Sequence, residues 1–143
     1  MSQENVEPQP PPPDVLAWFA EGFECYNRHD FDAMTAFYGP DAVSDFSRVF
    51  LDEQPRQGRR EIRAFWDQLW DTSGGMSIRP VEVLDVGADR YVVVVAFGLR
   101  GKRSGIDVAE RNAILYALRE NRIARLDMFP DRAAALKAVG LEE

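Results

Sequence analysis

Asn112-Ala113-Ile114-Leu115-Tyr116-Ala117-Leu118-Arg119-Glu120-Asn121-Arg122-Ile123-Ala124-Arg125-Leu126-Asp127-Met128-Phe129 is the stretch that decides the fold. It reads as two strands joined at Glu120-Asn121. With a two-residue turn, Arg119 stands opposite Arg122, Leu118 opposite Ile123, Tyr116 opposite Arg125, Ile114 opposite Asp127 and Asn112 opposite Phe129. Side chains alternate across a sheet. One face then carries Asn112, Ile114, Tyr116, Leu118, Ile123, Arg125, Asp127 and Phe129. The other carries Ala113, Leu115, Ala117, Ala124, Leu126 and Met128. Either the wholly apolar face is the core and Arg125 with Asp127 is a solvated ion pair, because charged side chains are rarely fully buried, or the mixed face lines a cavity and the apolar face is a dimer interface. A one-residue slip would exchange the faces.

Upstream of the hairpin the chain stays β-rich. Ile78 to Val86 reads as a strand with an edge or bulge at Pro80. Gly87-Ala88-Asp89 is a turn, Arg90 to Arg100 a valine-rich strand, and Gly101 to Gly105 a second turn, with the hairpin's first strand starting at Ile106. Downstream, Pro130-Asp131 opens a short alanine-rich helix that ends at Gly140. The first half is helical. Asp14 is placed to cap a helix to about Asn27, with Leu16, Phe19, Phe23 and Tyr26 on one apolar face. Asp30 caps a short second helix that Gly39-Pro40 stops, placing Met34, Phe37 and Tyr38 inward. Ala42 to Phe46 is a short strand and Ser47 to Gly58 a loop. Ile62, Phe65, Trp66, Leu69 and Trp70 make the clearest helical stripe, ended by Gly74-Gly75. Helices segregated from an antiparallel sheet indicate an α+β class. Residues 1–13, with Pro8 and the run Pro10 to Pro13, read as a disordered proline-rich tail, and residues 14–143 as one domain.

Composition removes several classes of function. Twenty-four acidic against 17 basic side chains give a net charge of -7, which opposes binding to nucleic acid or to an anionic membrane surface. The longest apolar run, Val92 to Phe97, suits a strand rather than a membrane span. Cys25 is the only cysteine, so no intrachain disulfide forms, and a reducing, cytoplasmic location is expected. One histidine and one cysteine far from ligand spacing oppose a zinc site. No glycine-rich phosphate loop precedes a helix, and Ser44, Ser47 and Ser104 have no histidine at motif spacing.

Several segments carry a resemblance in their order and spacing. Tyr26-Asn27-Arg28-His29-Asp30-Phe31-Asp32-Ala33 resembles a first-helix junction of the nuclear-transport-factor-2-like superfamily. Phe37-Tyr38-Gly39-Pro40-Asp41-Ala42-Val43 resembles the entry to its first strand. Gly58-Arg59-Arg60-Glu61-Ile62-Arg63-Ala64-Phe65-Trp66 resembles the opening of its third helix. Leu118 to Ile123 and Phe129-Pro130-Asp131-Arg132 resemble the last hairpin and its exit in SnoaL-like proteins, a family of this superfamily, which is also called ketosteroid-isomerase-like. The match spans roughly Asp14 to Leu141. It implies a cone-shaped, curved antiparallel sheet wrapped on three N-terminal helices, enclosing a cavity, with a short C-terminal helix. It specifies function poorly, since the fold hosts isomerases, cyclases, epoxide hydrolases, dehydratases and non-enzymes.

What the resemblance implies for a site rests first on Asp127. SnoaL-like cyclases carry a functional aspartate on the last strand just before a Phe, and limonene-epoxide-hydrolase-like enzymes do so with a one-residue gap. That puts Asp127 in the cavity as an acid or base, its pKa raised by desolvation, with Tyr116, Arg125 and Asn112 placing polar groups. Asp45, at the end of the first strand, is the second candidate, although a gap-free match puts the base position at Phe46. Tyr38, Trp66, Phe97, Tyr116 and Phe129 are candidates to line the cavity around a flat or polycyclic apolar ligand. Known catalytic sets of the superfamily are incomplete here. The tyrosine of ketosteroid isomerases falls at Gly22 and their second oxyanion acid near Ile114. The epoxide-hydrolase Arg-x-Asp pair falls near Val95 and Phe97, the cyclase histidine near Ala113, and His29 reads as a surface or capping residue. The expectation is a homodimeric domain with no cofactor and no metal that binds a small molecule and acts on it by proton transfer, or else a non-catalytic binding or dimerisation module.

Overall fold

The computed structural model describes residues 8–98 and 110–141. Helix α1 spans Pro13–Asn27, α2 Phe31–Thr35, α3 Arg59–Ser73 and α4 Arg132–Ala138. Strands are β1 Tyr38–Asp45, β2 Arg56–Gln57, β3 Ser77–Gly87, β4 Arg90–Gly98, β5 Glu110–Arg119 and β6 Arg122–Phe129. They form one curved sheet in the order β2-β1-β6-β5-β4-β3. Its neighbours run antiparallel except β1 and β6, which are parallel. The sheet is therefore mixed where an antiparallel one was expected. The class is α+β, with three N-terminal helices and a short C-terminal one, as expected.

Local chemistry explains most element boundaries. Pro12 occupies the N-cap of α1 and Pro13 the first helical position, where a missing N–H costs nothing. Asp14 is therefore not the cap: it lies in the first turn, where a carboxylate still favours the positive end of the helix dipole. Asp30 does cap α2, accepting from the Ala33 N–H at 3.2 Å. Gly74 ends α3 in the left-handed conformation at φ 75°. Asp131 caps α4 by accepting from Ala134 at 2.8 Å. Glu120 and Asn121 both take positive φ (55° and 64°), the geometry of a two-residue hairpin turn. Two boundaries move. Helix α2 ends at Thr35, so Gly39-Pro40 sits inside β1, where the pairing with β6 is irregular between Tyr38 and Val43. The expected loop from Ser47 contains the two-residue strand β2. The expected turn at Gly101 to Gly105 lies outside the described residues.

Two apolar clusters flank the sheet. The larger lies inside, between the sheet and α1, α2 and α3, and includes Phe19, Tyr26, Phe31, Phe46, Ile62, Trp66, Val93, Val95, Ile114, Tyr116, Leu126 and Met128. The smaller lies outside, where α4 covers Leu84, Val92, Val94, Ala113 and Phe129 with Ala135 and Leu136. Buried on both faces, β4 needs a continuous apolar run, which is what Tyr91 to Phe97 supplies. Leu16, assigned to the buried stripe of α1, is instead 43% exposed. The chain ahead of α1 is tied to the sheet, since Gln9 exchanges both backbone hydrogen bonds with Asp85, at 2.9 and 2.7 Å. Asn27 joins α1 to β3: its side chain donates to the Ile78 carbonyl at 2.8 Å and accepts from the Ile78 N–H at 2.9 Å. Among the described residues no helix is long and apolar enough to cross a membrane.

Candidate functional site

The faces of the decisive hairpin are set by a β-bulge. Leu118 pairs with Ile123, but Ala117 pairs with Arg125, so Ala124 is an extra residue in β6. From there the register differs by one residue from a regular ladder. Tyr116 pairs with Leu126, Leu115 with Asp127, Ile114 with Met128 and Ala113 with Phe129. Asn112, Ile114 and Tyr116 face inward as on the mixed-face reading, while Leu126 and Met128 face inward as on the apolar-face reading. Arg125, Asp127 and Phe129 are carried to the outer face. The expected pairing of Tyr116 with Arg125 and of Ile114 with Asp127 is thus corrected. The physical reason is desolvation: a single unpaired residue is a smaller penalty than two charges inside an aromatic core.

Asp127 therefore meets the outer face. Arg125 donates to it twice, at 2.8 and 3.0 Å, and Arg48 Nη1 lies 3.3 Å from Oδ1. Arg48 also lies 3.7 Å from Asp45 Oδ2, and its guanidinium stands 4.5 Å above the Phe129 ring. Asp45 is the register partner of Asp127 across β1 and β6. The Ser47 hydroxyl at 2.6 Å and the Ser47 N–H at 2.9 Å donate to Asp45 and hold its carboxyl below its ordinary range. Asp127 in turn raises the Arg125 pKa. These carboxylates are ion-paired, hydrogen-bonded and separated by the sheet from Tyr116. Asn112 sends its amide toward the Pro130 carbonyl at 3.4 Å, and Phe97 is inner core; neither lines the cavity.

The inner cavity has a volume of about 40 Å³. Of the candidate residues, Tyr38, Trp66 and Tyr116 line it, together with Trp18, Phe19, Gly22, Phe23, Tyr26, Met34, Phe37 and Ile78. The added wall comes mostly from α1. Its Phe19, Phe23 and Tyr26 stripe is visible in the sequence, but helical spacing alone does not separate a cavity wall from a core. Gly22 leaves room for Phe37: a Cβ there would lie 3.5 Å from that ring. Trp18 and Phe37 are the half-buried rings of the wall, 5.0 Å apart. Phe19 packs 5.0 Å from Tyr116.

The polar atoms of this wall are neutral. Burial pushes the phenols of Tyr26, Tyr38 and Tyr116 above their ordinary range, and for Tyr116 the nearby Tyr38 adds to the rise. Trp66 is close enough to the Tyr38 phenol to oppose its shift, yet Trp66 Nε1 completes no hydrogen bond with any described residue. Tyr26 Oη likewise has no partner among the described residues. Both residues are almost wholly buried, at 3% and 2% exposure. No carboxylate, histidine, lysine or arginine is among the described residues lining the cavity. The cavity can hold an apolar ring and donate hydrogen bonds, and it has no group that exchanges protons near neutral pH.

The SnoaL-like domain model matches residues 19–126, most of the chain and nearly every wall residue of the cavity. The chain belongs to the SnoaL-like family. No curated protein matches it. This SnoaL-like domain is similar to TerC co-crystallised with polyporic acid, at 18% identity over 90% of this chain and 99% of that one, with a TM-score of 0.68. It is similar to a candidate polyketide cyclase from Sinorhizobium meliloti (24% identity, 82% and 94% covered, TM-score 0.61). It is also similar to a protein of ketosteroid-isomerase-like fold from Catenulispora acidiphila in complex with trimethylamine (14% identity, 92% and 95% covered, TM-score 0.62). At these identities the likeness establishes the fold.

Proposed function

We propose that this SnoaL-like domain binds a small, flat, largely apolar organic molecule in its inner cavity, without acid or base chemistry of its own. The observation that carries the reading is the wall, which is aromatic on nearly every side and contains no ionised group among its described residues. Such concave apolar sites with a few polar atoms are the usual form of a small-molecule site. The folds that hold polyporic acid in TerC and trimethylamine in the Catenulispora protein support a small-molecule role. An acid or base at Asp127 or Asp45 would act on the other side of the sheet, where both are already ion-paired. The cavity of about 40 Å³ is well below the roughly 150 Å³ that accommodates benzene. A ring must therefore displace wall side chains, and the half-buried Trp18 and Phe37 are those with room to move.

The test is titration with a graded series of aromatic hydrocarbons, read by tryptophan fluorescence and by NMR. Saturable binding is expected, preserved in Asp127→Asn and abolished in Gly22→Leu, whose side chain fills the space against Phe37. Loss of binding in Asp127→Asn, with Gly22→Leu unaffected, would move the site to the outer face and end this reading.

A further inference from the structure

Helix α1 supplies Trp18, Phe19, Gly22, Phe23 and Tyr26 to the cavity wall, so its position sets the size of the cavity. The helix is fastened at both ends to one strand, β3, which lies at an edge of the sheet. At the C-terminal end the Asn27 amide holds both backbone groups of Ile78. At the other end the Gln9 N–H donates to the Asp85 carbonyl at 2.9 Å, and the Asp85 N–H donates to the Gln9 carbonyl at 2.7 Å. The two fastenings are not equivalent. Asn27 is the last residue of the helix, and the turn beyond it is bonded to the same end, since Arg28 N–H donates to the Glu24 carbonyl and Asp30 N–H to that of Cys25, both at 2.9 Å. Gln9 is exposed and lies on the extended chain ahead of Pro13, where the helix begins. Exposed backbone bonds with few buried contacts around them are the first to open. Like charges gather here as well: burial raises the Tyr91 pKa, and Asp85, Asp89 and Asp14 add to the rise.

Pro10 to Pro13 join Gln9 to the helix, and of these four only Pro11 is buried. Proline fixes φ, and Pro12 is extended at φ -61° and ψ 155°. A proline run is a semi-rigid spacer, so separation of Gln9 from β3 is passed on to the start of α1.

We propose that α1 is the door of the cavity, hinged at Asn27 and latched by the pairing of Gln9 with Asp85. The inference rests on the small-molecule reading above and supplies the route by which a ligand enters. The closed cavity of about 40 Å³ is too small for an aromatic ring. Swinging α1 outward from its N-terminal end moves Trp18 away from Phe37 and Phe19 away from Tyr116, pairs of rings that are 5.0 Å apart in the closed form. That motion leaves both bonds of Asn27 in place.

The experiment follows the association of naphthalene with the full chain by stopped-flow tryptophan fluorescence. A disulfide formed in the double variant Gln9→Cys with Asp85→Cys closes the latch covalently, because residues that exchange both backbone bonds have a Cα spacing that suits one. Cys25 is buried, which keeps it out of the bond. The oxidised variant is expected to lose most of its association rate, and reduction to restore it. Gln9→Pro, which removes one N–H and keeps the chain extended, should raise the rate about fivefold, the weight of one net hydrogen bond. In the unchanged protein the Asp85 amide should exchange with deuterium faster than the Ile78 amide, as a latch opens before a hinge. An oxidised variant that binds as fast as its reduced form, a Gln9→Pro rate equal to that of the unchanged chain, or an Ile78 amide that exchanges first would overturn the door and leave the small-molecule reading standing. If no form takes up naphthalene, the small-molecule reading fails and this inference with it.

Discussion

Single side chains do different work here from what their types suggest. Asn27 looks like a helix terminator, yet its amide takes the place of a strand neighbour, satisfying both the N–H and the carbonyl of Ile78. That geometry anchors the end of α1, and with it the cavity wall, to β3. Truncation leaves two backbone groups unpaired in a half-buried place, at a cost of 1–3 kcal/mol for each group left without water. Asn27→Ala is expected to lower stability by about 2 kcal/mol in urea unfolding; a loss under about 0.5 kcal/mol would mean that water replaces the amide freely. Asp127 illustrates the reverse case. Its identity and its place before Phe129 were legible, but its meaning depends on which way it points, and one extra backbone residue reverses that. His29, read as a surface or capping residue, is exposed, with φ 62°, and lies flat on Trp70 at 4.5 Å.

At the scale of elements, β6 carries the lesson. Periodicity located both arms of the hairpin and its turn, because alternation and turn chemistry are local properties. It missed the bulge at Ala124, because bulges have no sequence signature of their own here and are selected by what the two faces must bury. Each regular register would have placed either Arg125 and Asp127 inside or Ile114 and Tyr116 outside. The bulge lets β5 and β6 each turn their better face to the core. This assignment is open to a direct check. Leu126 is fully buried, so Leu126→Ala should cost about 2–5 kcal/mol in thermal or chemical unfolding, the range for a leucine deletion in a core. A loss below about 1 kcal/mol, the size of an exposed change, would restore the regular ladder with its mixed face inward. The start of α1 moved for a local reason: Pro13 is compatible with the first helical position, so the helix begins on the proline run.

At the scale of the whole molecule, the charges and the cavity are kept apart. Asp127 and its partners Arg48 and Arg125 lie on the outer face, whereas the cavity presents indole, phenol, thioether and hydrocarbon groups. The titratable groups in its described wall are phenols shifted upward, so none changes charge in the ordinary working range. Binding of a neutral ligand should therefore be constant from about pH 5 to about pH 9. A bell-shaped or sigmoid dependence in calorimetric titrations would reveal a titrating partner in the site and reopen the acid/base reading.

The sequence by itself determined the α+β class, the order of elements, the hairpin turn, the caps of α2 and α4 and the family, because propensity, periodicity and turn chemistry act over a few residues at a time. It also supplied three cavity residues, Tyr38, Trp66 and Tyr116. Only the tertiary structure decided that β1 runs parallel to β6, that Asp45 and Asp127 share the outer face, and that α1 forms most of the cavity wall. Those outcomes depend on which surfaces meet across long separations in the chain. The deciding term is the desolvation of charge against the burial of apolar area, which is settled by the assembled core and not by any one segment.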